Sequence, residues 1–120
     1  MIVVSQPITF GYHSPLKSKF RHGDFPQITH GIYGGRLTKS NASLEHVKAH
    51  CRGGKTEIGN LALENKALNN ARGNIPFRIW VKQPGMMRKV ATYLHECKGI
   101  KIDGVDYAQA LRKTIKGLIR

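Results

Sequence analysis

Basic side chains outnumber acidic ones by thirteen in a chain of 120 residues, 20 Lys and Arg against 7 Asp and Glu. Such an excess opposes compaction by self-repulsion, so a chain that carries it is expected to meet a partner of opposite sign. Nucleic acid is the commonest such partner, because each neutralised phosphate releases counterions. The cations are not gathered in a tail: five precede Glu45, three lie from Lys48 to Lys55, and twelve run from Lys66 to Arg120. A broad basic surface on a folded body is therefore expected rather than a flexible basic arm. Apolar residues make up 40% of the chain, which suffices for a small core in the single domain that this length allows. No window approaches the roughly 18 apolar residues of a membrane span. The potential amphipathic helices lack the aromatic-rich face that would suit an anionic membrane surface. The opening Met1-Ile2-Val3-Val4-Ser5-Gln6-Pro7 has neither a basic n-region nor a long apolar h-region, so no secretory signal is expected. Cys51 and Cys97 form no CxxC pair and no disulfide framework, which points to a reduced, cytoplasmic protein.

Three stretches follow one another. Residues 1–42 read as an irregular N-terminal arm and a hairpin. Ile2-Val3-Val4 and Ile8-Thr9-Phe10 are β-prone but broken by Pro7, Gly11, Pro15, Gly23 and Pro26. Lys17, Lys19 and Arg21 alternate with Ser18 and Phe20 as a solvated edge would. Gly34-Gly35, flanked by Ile32-Tyr33 and Arg36-Leu37, suits a hairpin turn. Residues 43–76 spell a short strand to Val47, a polar loop with Gly53, Gly54 and Gly59, a second strand at Leu61-Ala62-Leu63, and a helix from Glu64 to Arg72 that Gly73 stops. Residues 77–120 are mainly helical. Met86, Met87, Val90, Ala91 and Leu94 form one apolar stripe at helical spacing; Met86 and Met87 are expected in the core, with Trp80 as a packing anchor. A tight turn or short ribbon follows at residues 100–105. Asp106, with Gln109 three residues on, reads as the cap of a last helix with Leu111, Ile115 and Leu118 on one face.

Chemistry concentrates in residues 45–74. The acid-imidazole pair Glu45-His46 precedes Gly53-Gly54-Lys55. Asn60 comes fourteen residues after His46, Asn69 nine further, and Asn69-Asn70-Ala71-Arg72-Gly73 closes the segment. In this order, on strand, loop, strand and helix, these pieces resemble the HNH nuclease family. The resemblance, which covers residues 43–76, implies a ββα-metal core; with the irregular N-terminal arm and the C-terminal helices read above, the expected fold is a small α+β single domain. The resemblance further implies a metal-dependent endonuclease acting on DNA, most plainly duplex DNA, and leaving 5′-phosphate and 3′-hydroxyl ends. Nothing reads as a base-specific code, so weak sequence preference is expected, with nicking by a monomer and double-strand cuts only by a homodimer. Gly31-Ile32-Tyr33 invites comparison with the GIY-YIG nucleases, but residues 38–44 hold no second Tyr-Ile-Gly.

The residue types suit that reaction. Phosphodiester hydrolysis needs a deprotonated water, charge stabilisation and help for the leaving oxygen. His46, with an ordinary imidazole pKa of about 6.5, is the expected general base. Glu45 and Asn69 offer oxygens to one divalent ion, Mg2+ first, with Mn2+ or another divalent also suitable. The amide at position 69, in place of an imidazole, favours Mg2+ over zinc. By resemblance, Asn60 ties down the loop and orients His46. Arg72 and Lys55 are expected on phosphates, with Lys48 and Arg52 adding polarity to the same loop. Neighbouring strand residues face opposite sides, so Glu45 and His46 need a bent strand end to serve one phosphate. The competing reading is a non-catalytic basic nucleic-acid-binding protein on the same scaffold.

Overall fold

The computed structural model describes residues 15–120, so the β-prone segments 2–4 and 8–10 lie outside the described residues. Helix α1 is Pro15–Arg21, where the sequence reads as an extended edge. The period that decides is Leu16 to Phe20, one helical turn, not the alternation of Lys17, Lys19 and Arg21. Leu16 is fully buried and Phe20 packs on the core, while Pro15 sits at the helix start, where its missing N–H costs nothing.

The chain then makes a tight turn through residues 31–35. Gly31 N donates to Gly35 O at 2.7 Å, and His30 and Arg36 form an isolated antiparallel bridge across its mouth. Ile32 and Tyr33 are fully buried at its tip. The glycines are required by a buried carboxylate. Glu64 Oε1 accepts the Tyr33 N–H at 2.6 Å and Oε2 accepts the Asn65 N–H at 2.7 Å, and a Cβ on Gly31 or Gly35 would strike that side chain. Burial pushes the Glu64 carboxyl up from its ordinary value, against the pull of those backbone donors.

Strands β1 (Ala42–His46) and β2 (Leu61–Asn65) pair antiparallel with Leu44 opposite Leu63 and Glu45 opposite Ala62. Helix α2 (Lys66–Arg72) follows without a break. Glu64 belongs to β2 rather than to the helix, and Asn65 is the cap: its Oδ1 accepts the Leu68 N–H at 2.8 Å. The free edge of β2 is covered by side chains and a loop. Ile32 N donates to Leu63 O. Leu63 N donates to the Tyr93 hydroxyl at 2.9 Å, that hydroxyl to Tyr107 at 2.8 Å, and Tyr107 to Leu61 O at 2.7 Å. With Leu63 N a donor and Leu61 O an acceptor, only this direction uses every proton.

Those tyrosines belong to the C-terminal layer. Helix α3 (Phe77–Trp80) buries Phe77 and sets Trp80 edge-on to Tyr33, ring centroids 5.6 Å apart. Helix α4 (Met86–Glu96) buries Met86, Val90, Tyr93 and Leu94, but leaves Met87 at the surface. A two-residue ribbon, β3 (Lys101–Ile102) and β4 (Val105–Asp106), turns through Asp103 and Gly104, both with positive φ as a mirror-image turn needs. Helix α5 (Tyr107–Ile119) starts on Asp106, whose carboxylate accepts the Gln109 N–H, and buries Tyr107, Ala108, Leu111 and Ile115. Among the described residues the result is a small α+β domain of five α-helices and two small antiparallel sheets. Among the described residues, no helix is long and apolar enough to cross a membrane.

Candidate functional site

The loop between β1 and β2 is long but firmly held. Val47 N donates to Asn60 O, continuing the ladder one step past His46. Asn60 is buried and its side chain works in three directions: Oδ1 accepts the Lys48 N–H at 2.7 Å, and Nδ2 donates to Lys48 O at 3.1 Å and Lys55 O at 2.9 Å. One amide thus fastens both limbs of the loop, and it touches backbone rather than any reacting group. Gly53 adopts φ 89° to close the short turn His50–Arg52. Gly54 lies so close to Lys48 O that no Cβ fits. From that turn Arg52 reaches Asn74 O with Nε and Nη2, at 3.3 and 3.2 Å, which ties the loop to the end of α2. Lys48, Arg52 and Lys55 are all exposed.

The end of β1 separates Glu45 from His46, as strand geometry requires. Glu45 points inward. Its Oε2 lies 2.8 Å from Arg72 Nη1, and the two side chains are 5% and 1% exposed. The Arg72 guanidinium is used on every nitrogen. Nη1 also reaches His46 O and the Tyr33 hydroxyl, Nη2 donates to Val47 O at 3.0 Å, and Nε donates to Ile75 O at 2.7 Å. The expected phosphate contact by Arg72 is therefore corrected: a guanidinium that turns inward and binds three backbone carbonyls stitches α2 to the end of β1. Burial drives the Glu45 carboxyl up from its ordinary value, while the Tyr33 hydroxyl and Arg72 oppose that shift. The Tyr33 hydroxyl is itself raised, by burial first and by the Glu45 charge second.

His46 turns the other way, toward the loop. Its Nε2 is 2.9 Å from Thr56 Oγ1, and its ring meets that of His50 edge-on with centroids 5.9 Å apart. Partial burial, and then the neighbouring His50, lower its pKa from the ordinary imidazole value. At neutral pH the ring is uncharged and one nitrogen carries a lone pair. Asn69, one turn before Arg72 on α2, donates from Nδ2 to Ser43 Oγ at 2.9 Å and to Leu44 O at 3.0 Å. Its amide oxygen takes no hydrogen bond from a described residue.

Asn69 and Arg72 thus lie along one seam between α2 and β1, with Glu45 in the same seam and His46 at its outer end. Four participants escape a reading of the sequence. Thr56 holds the imidazole, Tyr33 holds Glu45, Glu64 fixes the turn that carries Tyr33, and Arg78 stands beside the loop. Only Tyr33 carried a signal, its place in a glycine-flanked turn. Among the described residues no three His, Cys, Asp or Glu side chains converge as a cage for a metal. A hard cation such as Mg2+ does not need one, since it takes one or two protein oxygens and fills its shell from water and substrate phosphate. The oxygens that this seam offers are the Glu45 carboxylate and the Asn69 amide oxygen. A carboxylate can accept about four hydrogen bonds, so Arg72, Tyr33 and the His46 N–H do not exhaust it. Comparison with protein-family models, with curated proteins and with solved structures finds no match to this chain.

Proposed function

We propose that residues 43–76 are a ββα-metal nuclease core and that the protein is an HNH-type endonuclease hydrolysing DNA phosphodiester bonds. The observation that carries this reading is the seam itself. A helix pinned to β1 by Asn69 and Arg72 leaves the Asn69 amide oxygen unclaimed, while the next two strand positions supply a buried carboxylate on one side and a half-buried histidine on the other. Glu45 and Asn69 would hold one Mg2+. When bound, that ion would supply Lewis-acid polarisation of a phosphoryl oxygen and charge for the leaving oxygen. His46 takes the proton of the attacking water. For Nδ1 to be the base, Nε2–H donates to Thr56 Oγ1, a hydroxyl that can accept it, and Thr56 then holds the ring in place. Asn60 acts through the backbone, as a positioning residue. Lys48, Arg52 and Lys55 hold phosphates around the cut. Duplex docking extends to α5, where Arg112, Lys113, Lys116 and Arg120 border a groove of about 630 Å³.

The buried Glu45–Arg72 pair also suits a second reading, a DNA-binding scaffold without activity, because it spends the acid on structure. Plasmid nicking decides between them. The expected result is Mg2+-dependent conversion of supercoiled to open-circle DNA that His46→Ala abolishes while duplex binding persists. Nicking by His46→Ala at the parental rate overturns the assignment of the base. Binding without nicking at any Mg2+ or Mn2+ concentration leaves the scaffold reading.

A further inference from the structure

Beyond the seam, one small cavity brings together three cations that the nuclease motif alone does not unite. It measures about 140 Å³ and lies where the β1–β2 loop, α3 and the end of α5 meet. Lys48 and Arg52 line it from the loop, Arg78 from α3, and Ala49, Phe77 and Leu118 supply apolar walls. All three cations are exposed. The one ion pair among the described residues is Arg72–Glu45, so none of the three has a carboxylate partner. Arg72 forms the back of the cavity, but its nitrogens are committed to carbonyls and to Glu45. Two further restraints orient the rim: Lys48 is held by its backbone on Asn60, and Arg52 is held through Nε and Nη2 on Asn74 O, which leaves Nη1 without a hydrogen bond to a described residue.

Cations that line one cavity without a carboxylate among them repel one another unless an anion sits between them. A phosphodiester brings one negative charge, acceptor oxygens for a guanidinium fork, and an apolar sugar edge for Phe77 and Leu118. We propose that this cavity binds a backbone phosphate of the DNA strand, one that flanks the phosphate being cut. Resting on the nuclease reading, the inference names a contact that the motif lacks. Lys48 stands two residues from His46, so a phosphate seated here sets the register of the strand across the imidazole. Arg78 and Leu118, from outside residues 43–76, make the C-terminal helices part of the substrate site rather than a support behind it.

The test uses inorganic phosphate and a short duplex on the full chain, without metal. Titration with inorganic phosphate is expected to shift the backbone amide signals of Ala49 and Phe77, uncharged residues in the cavity wall, in the parent protein and in the remote control Lys101→Ala. In Arg78→Ala these shifts are expected to vanish, and duplex affinity at low salt to fall about ten-fold. Arg78 is exposed, so the variant retains its fold, which amide dispersion reports in the same spectra. Shifts that persist in Arg78→Ala, or that appear equally along the outer face of α5, overturn the proposal in favour of diffuse attraction. Because no cutting is involved, a failure here and a failure of the nuclease reading are distinguishable. Nicking with silent Ala49 and Phe77 signals sinks the cavity alone, and phosphate shifts without nicking sink the nuclease alone.

Discussion

His46 owes its chemical state to two neighbours of different kinds. Burial lowers its pKa most, and the His50 ring lowers it further by charge repulsion. The consequence for stability has a definite sign. A group whose folded pKa is depressed stabilises the fold above the unfolded value of about 6.5, and that contribution is lost as pH falls through the folded value. The same shift keeps the imidazole available as a base below the pH at which a free histidine would protonate. His50→Ala removes the smaller cause and leaves burial in place. The His46 midpoint, followed by the proton resonances of its ring, is therefore expected to rise yet stay below about 6.5, and the acid limb of the nicking rate to rise with it. An unmoved midpoint would show that His50 does not act on His46. A midpoint above the ordinary value would show that burial does not dominate.

At the level of elements, the paired tyrosines decide how the C-terminal helices attach to the hairpin. Tyr93 and Tyr107 are fully buried, and their hydroxyls form a closed relay between Leu63 N and Leu61 O on the outer edge of β2. Tyr93→Phe keeps the ring and removes the relay's centre, leaving a buried N–H without an acceptor and Tyr107 without a donor. An unsatisfied buried group costs about 1–3 kcal/mol, so the free energy of urea unfolding is expected to fall by that amount. A change below about 0.5 kcal/mol, the size of a surface substitution, would mean that water replaces the hydroxyl at no cost. Elements of this kind also mark what a sequence reveals. The β1–loop–β2–α2 order was legible, because short apolar runs, Gly53-Gly54 and the Gly73 stop are local signals. The start of α2 was misplaced because Glu64 has good helix propensity, whereas its burial against Gly31 and Gly35 depends on residues about thirty positions away. Helix α1 was hidden by the alternating cations. Arg72 lay in plain view as a residue near the site. That it turns inward was not legible, because its partners Tyr33, Glu45 and Ile75 meet it only after folding.

The whole molecule distributes charge unequally between its inside and its outside. Glu45 and Glu64 are buried, so two of the 7 acids do not offset the surface cations, while every Lys and Arg except Arg72 reaches solvent. The outer surface is therefore more basic than the composition suggests. Added salt should act on this surface in two opposite ways. Without nucleic acid, screening weakens the mutual repulsion of cations that lie within about 10 Å of one another at 0.1 M ionic strength. The thermal midpoint should therefore rise with salt, with the buried Glu45–Arg72 pair little affected. With DNA, the same ions compete for the phosphates, and affinity should fall. If the cavity of Lys48, Arg52 and Arg78 holds one phosphate and Lys55, Arg112, Lys113, Lys116 and Arg120 meet one each, the slope of log K against log salt should be about −5, from roughly −0.9 per phosphate neutralised. Fluorescence anisotropy of a labelled duplex, alongside thermal melts of the free protein in the same buffers, measures both. A flat binding curve would remove DNA as the partner of this surface. A melting point that falls with salt would mean that attractive surface pairs, not repulsion, dominate the free protein.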